Sequence, residues 1–446
     1  MPLIHLSATG QGQIAEPPAR LKVVLAPTPG PMSQAFTVFG ALFYSAAILV
    51  LDSAGAPDDV DLGAFDPLNT LFHAIILTGS AIYALRHWRR ILGLLAGTAP
   101  FLLLLGFTLA SVLWSQSFEH TLRRSIGFGA LIVFTLYAYD RHGLRGFMRL
   151  ALLGALLGAG ASLLEVLLRP TIGFDTGEYA NAVRGIYGVK NSFGAALLDG
   201  MLAMSFLLLH QVRVRLRDIA IILFLLAMLV LSRSTTSLLL SMAVAGVTLG
   251  ILLIRRGGGW LGVLMLAASL GFGLATIGFG FFGLEGIFEL IGKDQTLTGR
   301  VFIWQAVHRM IDERPWLGWG FSAFWIQGAR PAEQIWQDLQ WLVPHAHNAF
   351  LDIALQLGWI GVTLIALVAC ATLLRVLRAL GGPKRQVAIW GLIFLITATL
   401  YGYGEAAIYR VNLTMVLWIM LWLDLAPIRS GGDRLHAGIR TAGRMA

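Results

Sequence analysis

The stretch Val343-Pro-His-Ala-His-Asn-Ala-Phe-Leu-Asp-Ile-Ala-Leu-Gln-Leu-Gly-Trp-Ile-Gly361 sets two histidines, His345 and His347, directly before an apolar run that continues to Leu374. Pro344 interrupts whatever precedes it, because it lacks a backbone N–H and restricts the residue before it. The run after it is long and apolar enough for a membrane-spanning helix. His347 therefore stands at that helix's first turn. The partial positive charge and free N–H groups of a helix N-terminus favour anions and disfavour an imidazolium. A neutral histidine beside a place where phosphate can dock has the chemistry of a general base; an ordinary interfacial histidine is the plainer alternative.

Working outward, the chain has 446 residues, of which 57% are hydrophobic and only 13% charged. Its mean hydropathy of +0.74 excludes an ordinary soluble domain and implies a polytopic, all-α membrane protein. The net charge of +9 does not require nucleic acid, because cytoplasmic loops collect Lys and Arg. The one cysteine, Cys370, can form no intrachain disulfide and completes no metal site. Residues 1–34, with six prolines and no hydrophobic core, read as a disordered cytoplasmic tail.

Twelve apolar stretches read as spans: 35–51, 67–85, 92–113, 122–139, 147–168, 191–209, 217–232, 235–254, 260–281, 348–374, 386–403 and 408–426. Assigning alternate connections to the cytoplasm collects 21 of the 33 basic residues on inner segments, and the first outer loop, Asp52 to Asp66, holds acids alone. Both termini are therefore expected inside, including a basic tail over 427–446. The domains that follow are a bundle of nine spans over 35–281, an outer helical insert over 282–346, and three further spans over 347–426.

The insert has its own helical signal. After Thr298, a good N-cap, come Val301, Trp304, Val307, His308 and Ile311 at the spacing of one helix face. Arg314-Pro-Trp-Leu-Gly-Trp-Gly-Phe321 then turns on Pro and Gly. Trp316, Trp319, Trp325, Trp336 and Trp341 suit either a bilayer surface, where the insert is expected to lie, or stacking on sugar rings.

Basic residues on the outer side run against the positive-inside bias and mark a candidate site. Arg184 lies in a Gly-rich loop, Arg184-Gly-Ile-Tyr-Gly-Val-Lys190-Asn191, without obvious acidic neighbours. Arg300 lies in the insert and has Asp294 as a potential partner. Arg233 occupies a short turn, where a snorkelling terminus residue is the simpler reading, and Lys190 with Asn191 opens the sixth span, where Asn serves equally as a cap. Guanidinium forks match phosphate oxygens. The chain contains no H-E-x-x-H, C-x-x-C or P-loop pattern.

At these residues the chain resembles the O-antigen ligase and polymerase superfamily of bacterial multi-span glycosyltransferases. The family's ligase signature is His-Asn, nine residues, then Gly-x-x-Gly; here His347-Asn348 is followed by nine residues and Gly358-Trp-Ile-Gly361, which selects His347 over His345. Thr298-Gly-Arg300 with Trp304, and Arg314 to Phe321, are similar to further family elements, and the resemblance spans about Ser111 to Gly361. Arg184-Gly-x-x-Gly-x-Lys-Asn191 looks most like the exopolysaccharide polymerase branch, whose members often carry a histidine where this chain has Val189.

The resemblance implies a multi-pass protein of the bacterial inner membrane, with the insert and active site facing the periplasm. It implies an inverting transfer that uses no metal or cofactor. The donor would be a glycan on undecaprenyl pyrophosphate, and the acceptor a sugar hydroxyl on a lipid-linked repeat unit or on lipid A-core. His347 would take the acceptor proton. Arg184 and Arg300 would hold the pyrophosphate, with Lys190, Asn191, Arg233, His345 and Asn348 as further substrate contacts. Partners would be the bilayer and polysaccharide-export proteins, not nucleic acid. The rivals are a ligase proper, a transporter or flippase for anionic lipids, and a non-enzymatic assembly partner. A transporter would place ionisable groups in the middle of spans, whereas Glu165, Asp199 and Glu405 are expected near helix ends.

Overall fold

The computed structural model describes residues 29–47, 67–175, 181–282, 296–406 and 409–426, without the side chains of 270 and 272–299. The first outer loop, Asp294, both tails beyond these limits and the end of the first expected span lie outside the described residues. The described chain is helical, with one isolated β-bridge, Phe174 to Val183. In order the helices are α1 (Pro31–Tyr44), α2 (Pro67–Arg86), α3 (Trp88–Gly97), α4 (Ala99–Ala110), α5 (Phe118–Leu168), α6 (Pro170–Gly173) and α7 (Lys190–Leu209). They continue with α8 (Leu216–Ser232), α9 (Thr235–Arg255), α10 (Gly259–Phe282), α11 (Thr296–Glu313), α12 (Arg330–Leu339), α13 (Ala349–Ala379), α14 (Arg385–Gly404) and α15 (Leu413–Asp424).

Six of these helices are long and apolar enough to cross a membrane, seven if α3 and α4 form one bent span. Among the described residues the expected spans fall on helices, but one expectation needs correction. The stretch 92–113 is not one straight helix: α3 and α4 meet at Thr98 with an 83° bend. Pro100, at the start of α4, has no N–H to continue the ladder of α3. The stretches 122–139 and 147–168 lie on the two helical arms of α5, on either side of a non-helical break at Gly143 (φ 60°, ψ 175°). At 1.5 Å per residue each arm, of about 25 residues, is about 37 Å long, enough for one crossing of a core about 30 Å thick. The first helix also begins inside the expected tail, at Pro31.

α7 and α15 form the centre. Nearly every residue of both is buried, as expected for helices apolar on all faces. Their neighbours satisfy indole N–H groups against backbone: Trp390 Nε1 donates to Leu202 O and Trp422 Nε1 to Gly97 O. Asp199 corrects another expectation. It lies in the middle of α7, not near an end, and its buried carboxylate accepts from Thr414 Oγ1 on α15 at 3.3 Å.

The insert packs a core of its own. Ile303, Ala306, Val307, Met310 and Ile311 of α11 face Ile335 and Trp336 of α12, with Phe324 and Trp325 between. The buried stripe is thus shifted from the expected one: Val301 and His308 face outward. The tryptophans divide in the same way. Trp319, Trp325 and Trp336 are buried with their N–H groups bonded to Met310 O, Asp352 Oδ1 and Val343 O. Only Trp316 and Trp341 of the five remain exposed for a bilayer or a sugar.

The turn from Arg314 to Phe321 joins this insert to α13. Helix α13 breaks at Gly358 (φ 65°, ψ −173°), and the turn's backbone fits into the break. Trp319 N donates to Leu355 O and Gly320 N to Gln356 O, while Trp359 N and Ile360 N donate to Pro315 O and Trp316 O. A Cβ on Gly358 would lie 2.2 Å from the carbonyl carbon of Trp316. Gly358→Ala is therefore expected to lower stability by more than the roughly 1–3 kcal/mol of a strained φ alone. Thermal unfolding of the purified protein reads this, and an unchanged midpoint would remove the clamp from the account.

Candidate active site

Asn348 starts α13. Its side-chain oxygen accepts from Phe350 N at 3.0 Å and Leu351 N at 3.2 Å, closing orphan donors of the first turn. That carboxamide oxygen is spent on the cap, so Asn348 helps to build the loop that carries His347. The cap forces His347 into the left-handed region (φ 48°), which turns its ring back over His345 with centroids 4.1 Å apart. His347 N donates to His345 Nδ1 at 3.2 Å. His345 Nδ1 is thus an acceptor, and the proton of its neutral ring lies on Nε2.

The peptide between the two histidines is held on both sides. Trp304 Nε1 donates to Ala346 O at 3.0 Å, and Ala346 N donates to Asp352 Oδ1 at 3.3 Å. Asp352 is a buried hub that also accepts from Trp325 Nε1 at 2.9 Å, Gln356 Nε2 at 2.7 Å and Arg410 Nη2 at 3.1 Å. Asp352 and Gln356 are one turn apart, so they share a face of α13.

Glu405 follows the last turn of α14 in extended conformation (φ −145°, ψ 150°) and is buried. Its Oε1 accepts from Asn191 Nδ2 at 3.1 Å and from Arg300 Nη2 at 3.3 Å. Its Oε2 lies 3.5 Å from His347 Nδ1. Asn191 Oδ1 in turn accepts from Ser234 Oγ at 3.4 Å. One carboxylate thus draws together the start of α7, the turn before α9, α11 and the His loop. Burial, with the positive charges of Arg410 and Arg300 and the neighbouring His347, holds the His345 ring well below the ordinary histidine range, so it stays neutral.

Of the expected residues, His345, His347, Asn191 and Arg300 meet here. Arg300 is not free of acids, because it pairs with Glu405. Arg184 is buried, and its guanidinium is turned to main-chain carbonyls: Nε donates to Ile172 O at 2.8 Å and Nη1 to Gly188 O at 3.5 Å. Those bonds fix the loop ahead of α7. Lys190 N donates to Asp175 Oδ2 at 3.4 Å. Arg233 is the left-handed cap of α8 (φ 51°), and its neighbour Ser234 makes the contact to Asn191. The residues that sequence reasoning missed are Glu405 as a site residue, Asp352, Gln356 and Arg410. A signal existed for two of them: Asp352 and Gln356 are polar at i, i+4 in an otherwise apolar run.

His345, His347 and Glu405 each offer one ligand atom, all within 4.8 Å, and could hold a cation. The charges of Arg300 and Arg410 at the same place oppose a divalent ion. The arrangement is better matched to proton transfer beside an anion.

Comparisons with known proteins place the chain among related sequences. Residues 220–366 match the O-Antigen ligase family model. That interval holds Arg233, Arg300 and the His loop with its glycines; Asn191 and Glu405 lie outside it. The chain is also 29% identical over 312 residues to the exopolysaccharide production protein ExoQ of Rhizobium meliloti (strain 1021), covering 67% of this chain and 70% of that protein. Both findings support the O-antigen ligase and exopolysaccharide polymerase superfamily.

Proposed function

We propose that this membrane protein of the O-antigen ligase and exopolysaccharide polymerase superfamily is a polymerase of lipid-linked repeat units, working by inverting, metal-independent transfer. The donor glycan rides on a polyprenyl pyrophosphate, undecaprenyl in the bacterial inner membrane, and the acceptor is a sugar hydroxyl of a second lipid-linked unit. The observation that carries the reading is His347 Nδ1 facing the Glu405 carboxylate at 3.5 Å, with no hydrogen bond to its Nε2 among the described residues. Nδ1 makes no hydrogen bond among the described residues, and the carboxylate near it favours a proton on that nitrogen, which leaves Nε2 as the acceptor. The acceptor hydroxyl gives its proton to Nε2 as its oxygen attacks the anomeric carbon. The bond to the pyrophosphate breaks on the opposite face, and the leaving group departs with the electron pair.

Arg300 sits beside that centre and stabilises developing negative charge. An apolar cavity lined by Phe350, Ile353, Ile365, Phe394, Tyr409 and Trp418 begins at the first turn of α13, suited to part of an isoprenoid tail. Transfer of a lipid-linked glycan onto a second lipid-linked unit by the purified protein tests the reading; transfer only onto lipid A-core would favour a ligase instead. A transporter keeps one point in its favour, the mid-span Asp199, but that carboxylate is buried against Thr414 between two helices.

Twelve spans with both ends inside, and a periplasmic insert over 282–346, complete the proposal, supported by the basic inner connections. Gln327 is exposed on the insert. Gln327→Cys, in a background lacking Cys370, is expected to react with an impermeant thiol reagent in intact spheroplasts. Labelling only after lysis of the inner membrane would reverse the orientation.

A further inference from the structure

The resemblance assigns the pyrophosphate to Arg184 and Arg300, which in this structure donate to main-chain carbonyls and to Glu405. A further arginine pair lies close by. Phe128 of α5 packs its ring against Tyr409 with centroids 5.3 Å apart, and a Cβ at Gly127 would lie 4.0 Å from Val411. Helical spacing puts Arg124 one turn ahead of Gly127 and Phe128 on the same face of α5, the face that packs against the segment carrying Arg410. Arg410 and Arg123 are the charges that bear on Arg124, and Arg410 also bears on His345.

Arg410 is 42% exposed and shares the Asp352 carboxylate, which holds the loop carrying His347. Arg124 has exposed surface, although the protein around its guanidinium desolvates it more than the neighbouring charges act on it, and no acidic partner faces it among the described residues. An arginine whose charged neighbours are arginines is destabilised until an anion arrives.

We propose that Arg124 and Arg410 bind phosphate oxygens of the donor's pyrophosphate, next to the His loop, and so act as substrate-binding residues beyond Arg300. The inference rests on the transferase reading above and deepens it. Two forks on one pyrophosphate neutralise the leaving group where a metal would otherwise serve. Arg124 is the cleaner test, because removing Arg410 also strips Asp352 of its partner.

The experiment is binding of farnesyl pyrophosphate to the purified full-length protein in detergent, which needs no transfer to be read. Wild type is expected to bind, and Arg124→Gln to weaken binding roughly ten- to a hundredfold, the worth of a charge-assisted contact. Arg124→Lys should recover part of that affinity, and Arg123→Gln should lose little. Equal losses in Arg123→Gln and Arg124→Gln would show a diffuse field and overturn the site. Unchanged affinity in Arg124→Gln would overturn it too and leave the transferase reading standing. If Arg124→Gln alters only the response to anionic phospholipid, the pair holds a bilayer headgroup and the inference fails. If Arg124→Gln does not fold, Arg124→Lys decides: wild-type affinity there, with its single-point charge, would count against a bidentate fork. Absence of binding by wild type would overturn the transferase reading and this inference together.

Discussion

His347→Ala is expected to lower the transfer rate by roughly 10²–10⁴-fold, the usual contribution of a positioned general base. Donor binding should hold, because the phosphate contacts lie on arginines. His345→Ala should be milder. His345 accepts the His347 N–H and stays neutral under the charges around it, so its task is to position the loop. Rates with purified protein and a lipid-linked donor check this. Transfer by His347→Ala within a few-fold of wild type would make His347 a structural residue and remove the centre of the mechanism.

Glu405→Gln is expected to reduce the rate by roughly 10²–10⁴-fold as well, by the logic of a carboxylate that fixes a catalytic histidine's tautomer. The amide keeps the size of the side chain but loses its charge, and its NH₂ can donate to His347 Nδ1. That pairing stabilises the tautomer whose Nε2 carries the proton and cannot accept another. The variant also deprives Arg300 of its partner at 3.3 Å. Glu405→Asp should recover part of the rate. Because the two residues act as a unit, His347→Ala and Glu405→Gln combined should cost little more than His347→Ala alone. Additive losses in the double variant would mean that Glu405 acts apart from His347.

The class of fold and the helix that carries the candidate site were legible because both rest on local signals. Apolar runs of span length survive any packing, and among the described residues they fall on helices. His347-Asn348 was legible for the same reason: Asn348 caps the helix through the next three residues, and capping geometry is a matter of spacing alone. Gly358 could be picked out by the resemblance, but its purpose could not. It admits a turn that lies about forty residues away in the chain. The insert's tryptophans were misread for a related reason. Nothing local distinguishes an indole at a membrane surface from one whose N–H finds a carboxylate, as Trp325 finds Asp352.

By itself, then, the sequence determined an all-α membrane chain and a histidine at the head of a late helix. Only the tertiary structure decided which charges surround that histidine. It brought Glu405 from the end of α14 to His347, paired Arg300 with the same carboxylate, turned Arg184 to main-chain carbonyls, and packed Phe128 of α5 on Tyr409 beside Arg410. The physical reason is that a helix is specified by its neighbours along the chain. Electrostatic partners are chosen instead by which helix ends meet in space, and the positions that meet here, 124, 191, 300, 347, 405 and 410, are separated by most of the protein's length.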